Sequence, residues 1–271
     1  MPDRQPTTTR TRAAGGPAVP RRLSDDVRPL TARSLVLSVL LGLPEPRLRT
    51  SSLIRLADVF DLAPGTVRTA LSRLTAAGDL VNHDGVYELR GRLLERKTAQ
   101  DIGRRPPDDA WDGDWWIVAV TAPRRSIAER RQFRTAMVNA RLGELRPDTW
   151  LRPANLPGPH VERGVATVRG PLAGEDHSAL VARLWDLPAI ARRSHTLLAA
   201  LDEATTEVRG APNVVLPTAM TLAAVVVRFL RREPMLPQAL TPADWPVDEL
   251  RRRYRSFDHH FGRSLHETIG P

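Results

Sequence analysis

Thr66, Arg68, Thr69, Ser72 and Arg73 fall within eight residues of one another at steps of three and four. On a helix that spacing gathers them on one face, with 66, 69 and 73 in one row and 68 and 72 in the next. Two guanidinium forks among short hydroxyls present a dense set of hydrogen-bond donors. Such a face suits guanine edges and phosphate oxygens, with the small groups allowing close approach to a groove. The positions between them, Val67, Ala70, Leu71 and Leu74, recur at i, i+3, i+4 and i+7 and form one buried stripe. This helix starts at Pro64, where a missing N–H costs nothing, and stops at Gly78, a residue suited to the position after a helix.

The elements that must hold this face are legible around it. A shorter helix is expected over 52–60, capped by Ser51 or Ser52, with Leu53, Ile54, Leu56, Ala57 and Phe60 turned inward. A tight break follows at Asp61-Leu62-Ala63. After Gly78, the runs Leu80-Val81 and Val86-Tyr87-Glu88-Leu89 are joined through His83-Asp84-Gly85, and Asp-Gly between such runs signals a hairpin. Thr31 is placed to cap an earlier helix from 32 to about 43 with Leu35, Val36, Val39 and Leu40 as its stripe. Together, residues 28–102 read as a winged helix-turn-helix that binds double-stranded DNA. His83 and its neighbours form the wing beside the adjacent backbone or minor groove. A winged-helix adaptor that binds protein is the alternative, but it calls for exposed apolar anchors where this chain has arginine, threonine and serine.

Charge agrees with the DNA reading. The 271 residues carry 40 basic against 31 acidic side chains, a formal charge of +9, and Lys97 is the sole lysine. A basic chain is drawn to phosphate backbones whatever their sequence. Arginine enrichment can also follow from a GC-rich genome, so the placement of arginines carries more weight than their number. The chain has no cysteine, which excludes disulfides, thiolate metal sites and a cysteine nucleophile and suits a reducing cytoplasm. Residues 1–27 are rich in Pro, Thr, Gly and Arg and read as a disordered basic tail without the apolar core of a secretory signal. The most apolar run, 214–230, contains Pro217 and Arg228 and falls short of the ~20 residues that span a bilayer. It reads as a buried helix, and no membrane segment is expected.

Beyond the wing, 91–101 is expected to be a short charged helix and 103–109 a linker. In 110–175, a strand over 116–121, a helix over 126–142 and strands over 149–151 and 161–168 suggest a ferredoxin-like unit. Residues 176–271 form a helical C-terminal domain, with helices at 179–185, 189–203, 216–232 and 247–265. The fold class is α+β. Trp111, Trp115 and Trp116 are read as packing groups. Arg124-Arg125, Arg130-Arg131 and Arg251-Arg252-Arg253 are read as solvated charge, with phosphate binding the sharper use of the middle-region pairs. His259 and His260 point about 100° apart on a helix and cannot share an ion. There is no Ser/His/Asp arrangement and no phosphate loop, so neither catalytic residues nor a metal or cofactor is expected.

Several motifs, in order, resemble the PaaX family of transcriptional regulators. They are Ala32-Arg33-Ser34-Leu35, Leu53-Ile54-Arg55-Leu56, Val67-Arg68-Thr69-Ala70-Leu71-Ser72-Arg73-Leu74, Trp111-Asp112-Gly113-Asp114-Trp115, Leu142-Gly143, Trp150-Leu151-Arg152-Pro153, Leu184-Trp185-Asp186-Leu187, Arg232-Glu233-Pro234-Met235-Leu236-Pro237, Leu240 and Pro242-Ala243-Asp244-Trp245-Pro246. The resemblance implies a winged helix, a central Cas2-like domain, a helical C-terminal domain and a homodimer on a palindromic operator. It also implies repression of a catabolic operon, relieved by an aryl-coenzyme A effector such as phenylacetyl-CoA. It marks Arg68 and Arg73 as DNA contacts and assigns no effector residue. The Cas2 likeness raises a metal-dependent nuclease as a further alternative. Against it, the first central strand runs into Thr121-Ala122-Pro123 with no carboxylate for a hard cation.

Overall fold

Thr31 starts α1 (Ala32–Gly42) through a capping box, its hydroxyl accepting from the Ser34 N–H at 3.2 Å while Ser34 Oγ accepts from the Thr31 N–H at 2.7 Å. The computed structural model describes residues 31–106, 111–121, 125–160, 164–210 and 212–269. The tail at 1–27, Arg124 and the first residues of the strand expected at 161–168 lie outside the described residues.

Between α1 and the helix-turn-helix runs β1 (Arg47–Arg49), a strand too short to show in the sequence pattern. It pairs antiparallel with β3 (Val86–Leu89), which pairs with β2 (Leu80–His83), giving the order β1-β3-β2. This strand changes how α2 (Thr50–Val59) begins. Neither Ser51 nor Ser52 caps it; Arg49 sits at the cap position without a side-chain bond. Thr50 instead donates both its N–H and its hydroxyl to the Gly85 carbonyl at 2.9 Å, so the helix start is tied to the wing turn. Ser52 is buried and accepts from Arg55.

Helix α4 (Arg92–Arg104) runs past 101 into the stretch read as a linker. Gly103 explains why: it lies against the backbone of α8 (Pro212–Leu230), and a Cβ there would stand 2.5 Å from the Leu230 carbonyl oxygen. Only glycine permits that approach.

The middle region is β4 (Asp114–Val120), α5 (Ile127–Asn139), β5 (Gly143–Arg146), β6 (Thr149–Pro153) and β7 (Val165–Pro171). The sheet order is β5-β6-β4-β7, antiparallel throughout, so β4-α5-β5 is a split βαβ unit with β6 inserted between its strands. The α+β class and the ferredoxin-like unit are therefore present, with one strand more than expected. Helix α5 ends at Asn139 instead of 142 because Arg141 takes φ +62 and Gly143, opening β5, packs against Leu184. Trp115 is fully buried against Leu151 and against Leu180 and Val181 of α6 (His177–Leu184), with Trp111 edge-on at 6.2 Å. Trp116, on the opposite face of the strand, donates to the Leu156 carbonyl at 3.1 Å. Both are packing groups.

The C-terminal helices α7 (Leu187–Gly210), α8 and α9 (Pro246–Ile269) extend beyond the ranges 189–203 and 247–265 and start α8 before 216. Their apolar faces do not close only on one another. Leu53 and Leu56 of α2, Leu35 and Val39 of α1, and Val226, Leu250, Tyr254 and Phe257 of α8 and α9 belong to one continuous core. The winged helix and the C-terminal helices are packed as one body.

A buried ion network reinforces the joint. The Glu233 carboxylate, 1% exposed, lies between Arg141 of the central domain and Arg251 of α9, and Arg251 also donates to the Gly103 carbonyl at 3.2 Å. Arg251 is therefore not solvated charge, as the triple-arginine run suggested; the ion pairs of Arg252 and Arg253 with Glu249 are exposed. Burial lowers the Arg141 pKa to about 10, with Glu233 acting in the opposite direction.

Candidate nucleic-acid interface

Helix α3 (Pro64–Ala76) is built from its two faces. Val67, Leu71 and Leu74 are fully buried against α1 and α2, which fixes the roll of the helix. Proline opens it at N1, and a Schellman motif closes it: the Asp79 N–H donates to the Leu74 carbonyl and the Gly78 N–H to the Thr75 carbonyl, both at 3.0 Å. Gly78 takes φ +72, the left-handed conformation this motif needs.

Thr66, Arg68, Thr69, Ser72 and Arg73 all project to solvent. The Thr69 hydroxyl donates back to the Gly65 carbonyl at 2.9 Å. Among the described residues, neither the Arg68 nor the Arg73 side chain has a hydrogen bond or ion pair. That distinguishes them from most of the other arginines. Arg33 and Arg92 grip Asp79, Arg47 pairs with Glu45, and Arg125 pairs with Asp148 while lying 4.3 Å from the Phe133 ring centre. Two free guanidinium groups a turn and a half apart on an otherwise small-residue face leave all their donors to an external acceptor.

The base of this helix is locked from behind. Asp79, 2% exposed, accepts from Arg92 of α4 at 2.9 Å and from Arg33 of α1 at 3.1 Å. The bond from Arg92, followed by that from Arg33, holds its carboxyl below the usual range against the opposing effect of burial.

The wing tip is a two-residue turn with Asp84 at φ +49 and Gly85 at φ +79, a type I′ hairpin. The Asn82 side chain accepts from the Gly85 N–H at 3.0 Å. His83 is exposed, paired across the hairpin with Val86, at the end of β2 away from α3. The structure thus gathers the five α3 side chains on one surface and sets His83 on a second element. Sequence reasoning missed β1, whose exposed Arg47 and Arg49 flank the wing. Their only signal is charge on both sides of Leu48.

No group of three or more potential metal-ligating side chains comes together among the described residues. The carboxylate facing the end of β4 is Asp148, whose backbone carbonyl accepts from the Val120 N–H and whose side chain is bound by Arg125. No helix among the described residues is long and apolar enough to cross a membrane.

Residues 31–93 match the family described as PaaX-like protein, and residues 108–168 match the PaaX protein central Cas2-like domain. Among solved structures, the chain is similar to uncharacterized protein Rv0674 from Mycobacterium tuberculosis. The two share 35% sequence identity at a TM-score of 0.65, over 88% of this chain and 98% of that one. No curated protein gives a significant match.

Proposed function

Because this chain belongs to the PaaX family, we propose that it is a DNA-binding transcriptional regulator, a homodimeric repressor of a catabolic operon in the cytoplasm, released by an aryl-coenzyme A effector. The observation that carries the reading is the α3 surface: two unpaired arginines among threonines and a serine, on a helix held rigid by its buried stripe and its Schellman end. In this reading α3 enters the major groove. Arg68 and Arg73 contact guanine or phosphate, Thr66, Thr69 and Ser72 lie beside them, and His83 approaches the flanking backbone. Two subunits set half-sites a multiple of ~10 bp apart. An effector releases the DNA only by binding better to a conformation that fits DNA less well.

The experiment is binding of the purified full-length protein to its own upstream DNA at fixed salt, with and without phenylacetyl-CoA. Specific binding relieved by the thioester is expected. Binding indifferent to it removes the effector class, and absence of specific binding removes the regulator. A Cas2-like nuclease is disfavoured by the Arg125 pairing of Asp148 and would show itself as EDTA-sensitive cleavage of the same DNA. An adaptor is disfavoured by the lack of apolar anchors on α3.

A further inference from the structure

A cleft of about 1600 Å³ opens between the winged helix and the C-terminal helices, walled by α1, α4, α8 and α9. Seven arginines and three carboxylates line it. Several of these cations are already committed: Arg92 to Asp79, Arg104 to Asp101, and Arg231 to the Asn139 side chain at 2.9 Å. The side chains of Arg96, Arg228, Arg232 and Arg263 are not; none of them makes a hydrogen bond or ion pair among the described residues, and the first three are the ones that interact.

These groups face one another. Arg96 comes from α4, whereas Arg228 lies in the last turn of α8 and Arg231 and Arg232 in the turn that follows it, whose N–H groups donate back to the Val227 and Phe229 carbonyls. Each is reached by water in the open cleft, yet the surrounding protein and then the charges of Arg228 and Arg232 push the Arg96 pKa down. Arg231 is shifted the same way, by burial and then by Arg232, Arg96 and Arg228. Like charges held together, outnumbering the carboxylates of the lining and not paired with them, raise the energy of the empty cleft. A single carboxylate would answer one of them. Clustered phosphates would answer all three, with oxygens spaced for guanidinium forks. The lining also has an apolar part, with Leu37 and Leu41 of α1, Met220 of α8 and Phe261 of α9.

We propose that this cleft binds a small molecule with two or more phosphate groups joined to an apolar body, the phosphates seated on Arg96, Arg228 and Arg232. The proposal gives the effector of the preceding section a site and a charge. It rests on that reading only for the consequence to DNA. Helix α4 follows directly from the wing strand β3 and touches α8 at Gly103. A ligand that draws Arg96 toward Arg228 and Arg232 therefore acts on the joint that orients α3.

The test uses the full chain, with inorganic pyrophosphate, ADP and coenzyme A as probes, read by calorimetry and by thermal melting. Wild-type protein is expected to bind coenzyme A and ADP saturably and to melt higher in their presence. The Arg228→Gln/Arg232→Gln variant should lose about tenfold or more of that affinity, since two charge-assisted contacts are removed. Its ligand-free melting temperature should not fall, because the substitutions relieve repulsion; this separates lost binding from lost folding. Binding of pyrophosphate alone would place recognition in the phosphates, and binding of coenzyme A alone would add the apolar wall. Failure of all three probes, or equal affinity in the variant, overturns the proposal. So does a probe-free loss of operator affinity as large as that of Arg73→Ala, which would make these arginines DNA contacts. Probe binding by a protein that ignores its upstream DNA would leave the cleft standing and remove the regulator.

Discussion

Arg73 and Asp79 lie at the same end of α3 and do opposite work. Arg73 is exposed and unpaired, so Arg73→Ala should leave the melting temperature within experimental scatter. It should weaken specific DNA binding by about 1–3 kcal/mol if its fork is bidentate to guanine. A loss uniform across sequences with a smaller salt slope would instead place it on phosphate, and unchanged affinity would take it out of the interface. Asp79 is buried between Arg33 and Arg92, which lower its pKa. A carboxylate whose pKa is lower in the folded than in the unfolded chain stabilises the fold at pH above the unfolded value of about 3.9. That contribution is lost as pH falls through the folded value. Acid melting of the wild type should therefore steepen below about pH 4, whereas Asp79→Asn should be less stable near neutrality and show a flatter acid limb.

At the scale of elements, the recognition helix and the wing depend on two left-handed glycines. Gly78 closes α3 and Gly85 completes the type I′ turn, whose carbonyl also holds Thr50 at the start of α2. Neither position lacks space for a methyl group, so the cost of alanine is conformational. Gly78→Ala and Gly85→Ala should each destabilise by about 1 kcal/mol in urea titrations. Gly103 is the contrasting case, with ordinary helical geometry and no space at all. Gly103→Ala sets a methyl against the Leu230 carbonyl and beside the Arg141 guanidinium, so α4 must shift away from α8. A drop of about 1–3 kcal/mol is expected from overpacking alone. It should be accompanied by altered DNA binding if the α4–α8 joint orients α3.

Across the whole molecule, the apolar core passes without interruption from the winged helix into the C-terminal helices, and Glu233 joins Arg141 of the central domain to Arg251 beneath Gly103. Calorimetric unfolding should therefore show the winged helix and the C-terminal helices melting in one transition. A fragment ending at residue 106 would expose Leu53, Leu56 and their neighbours and should aggregate or fail to fold. Glu233→Gln leaves the buried Arg141 without its counter-charge and Arg251 with Asp248 alone, and should cost about 3–5 kcal/mol by urea denaturation. A DNA-binding unit packed this way can be moved only by moving its partners, which is why a cleft along the shared joint matters for control.

The sequence alone determined the features set by local rules. Periodicity gave α3 and its two faces, Pro64 and Gly78 gave its ends, Thr31 gave the start of α1, and Asp84-Gly85 gave the wing turn, since each needs only a few neighbouring residues. It also supplied the α+β class and a ferredoxin-like middle region, because β-branched runs and charged helices alternate at readable length. What tertiary structure decided depends on partners far along the chain. β1 is a strand only because β3 lies beside it, and α2 starts where Gly85 holds Thr50. Gly103 extends a helix because Leu230 crosses there, and Arg251 is buried because Glu233 and Asp248 receive it. The gathering of Arg96 with Arg228 and Arg232 belongs to the same class. More than 130 residues separate them along the chain, about the same span as joins Gly103 to Arg251, and no local pattern encodes a contact at that distance.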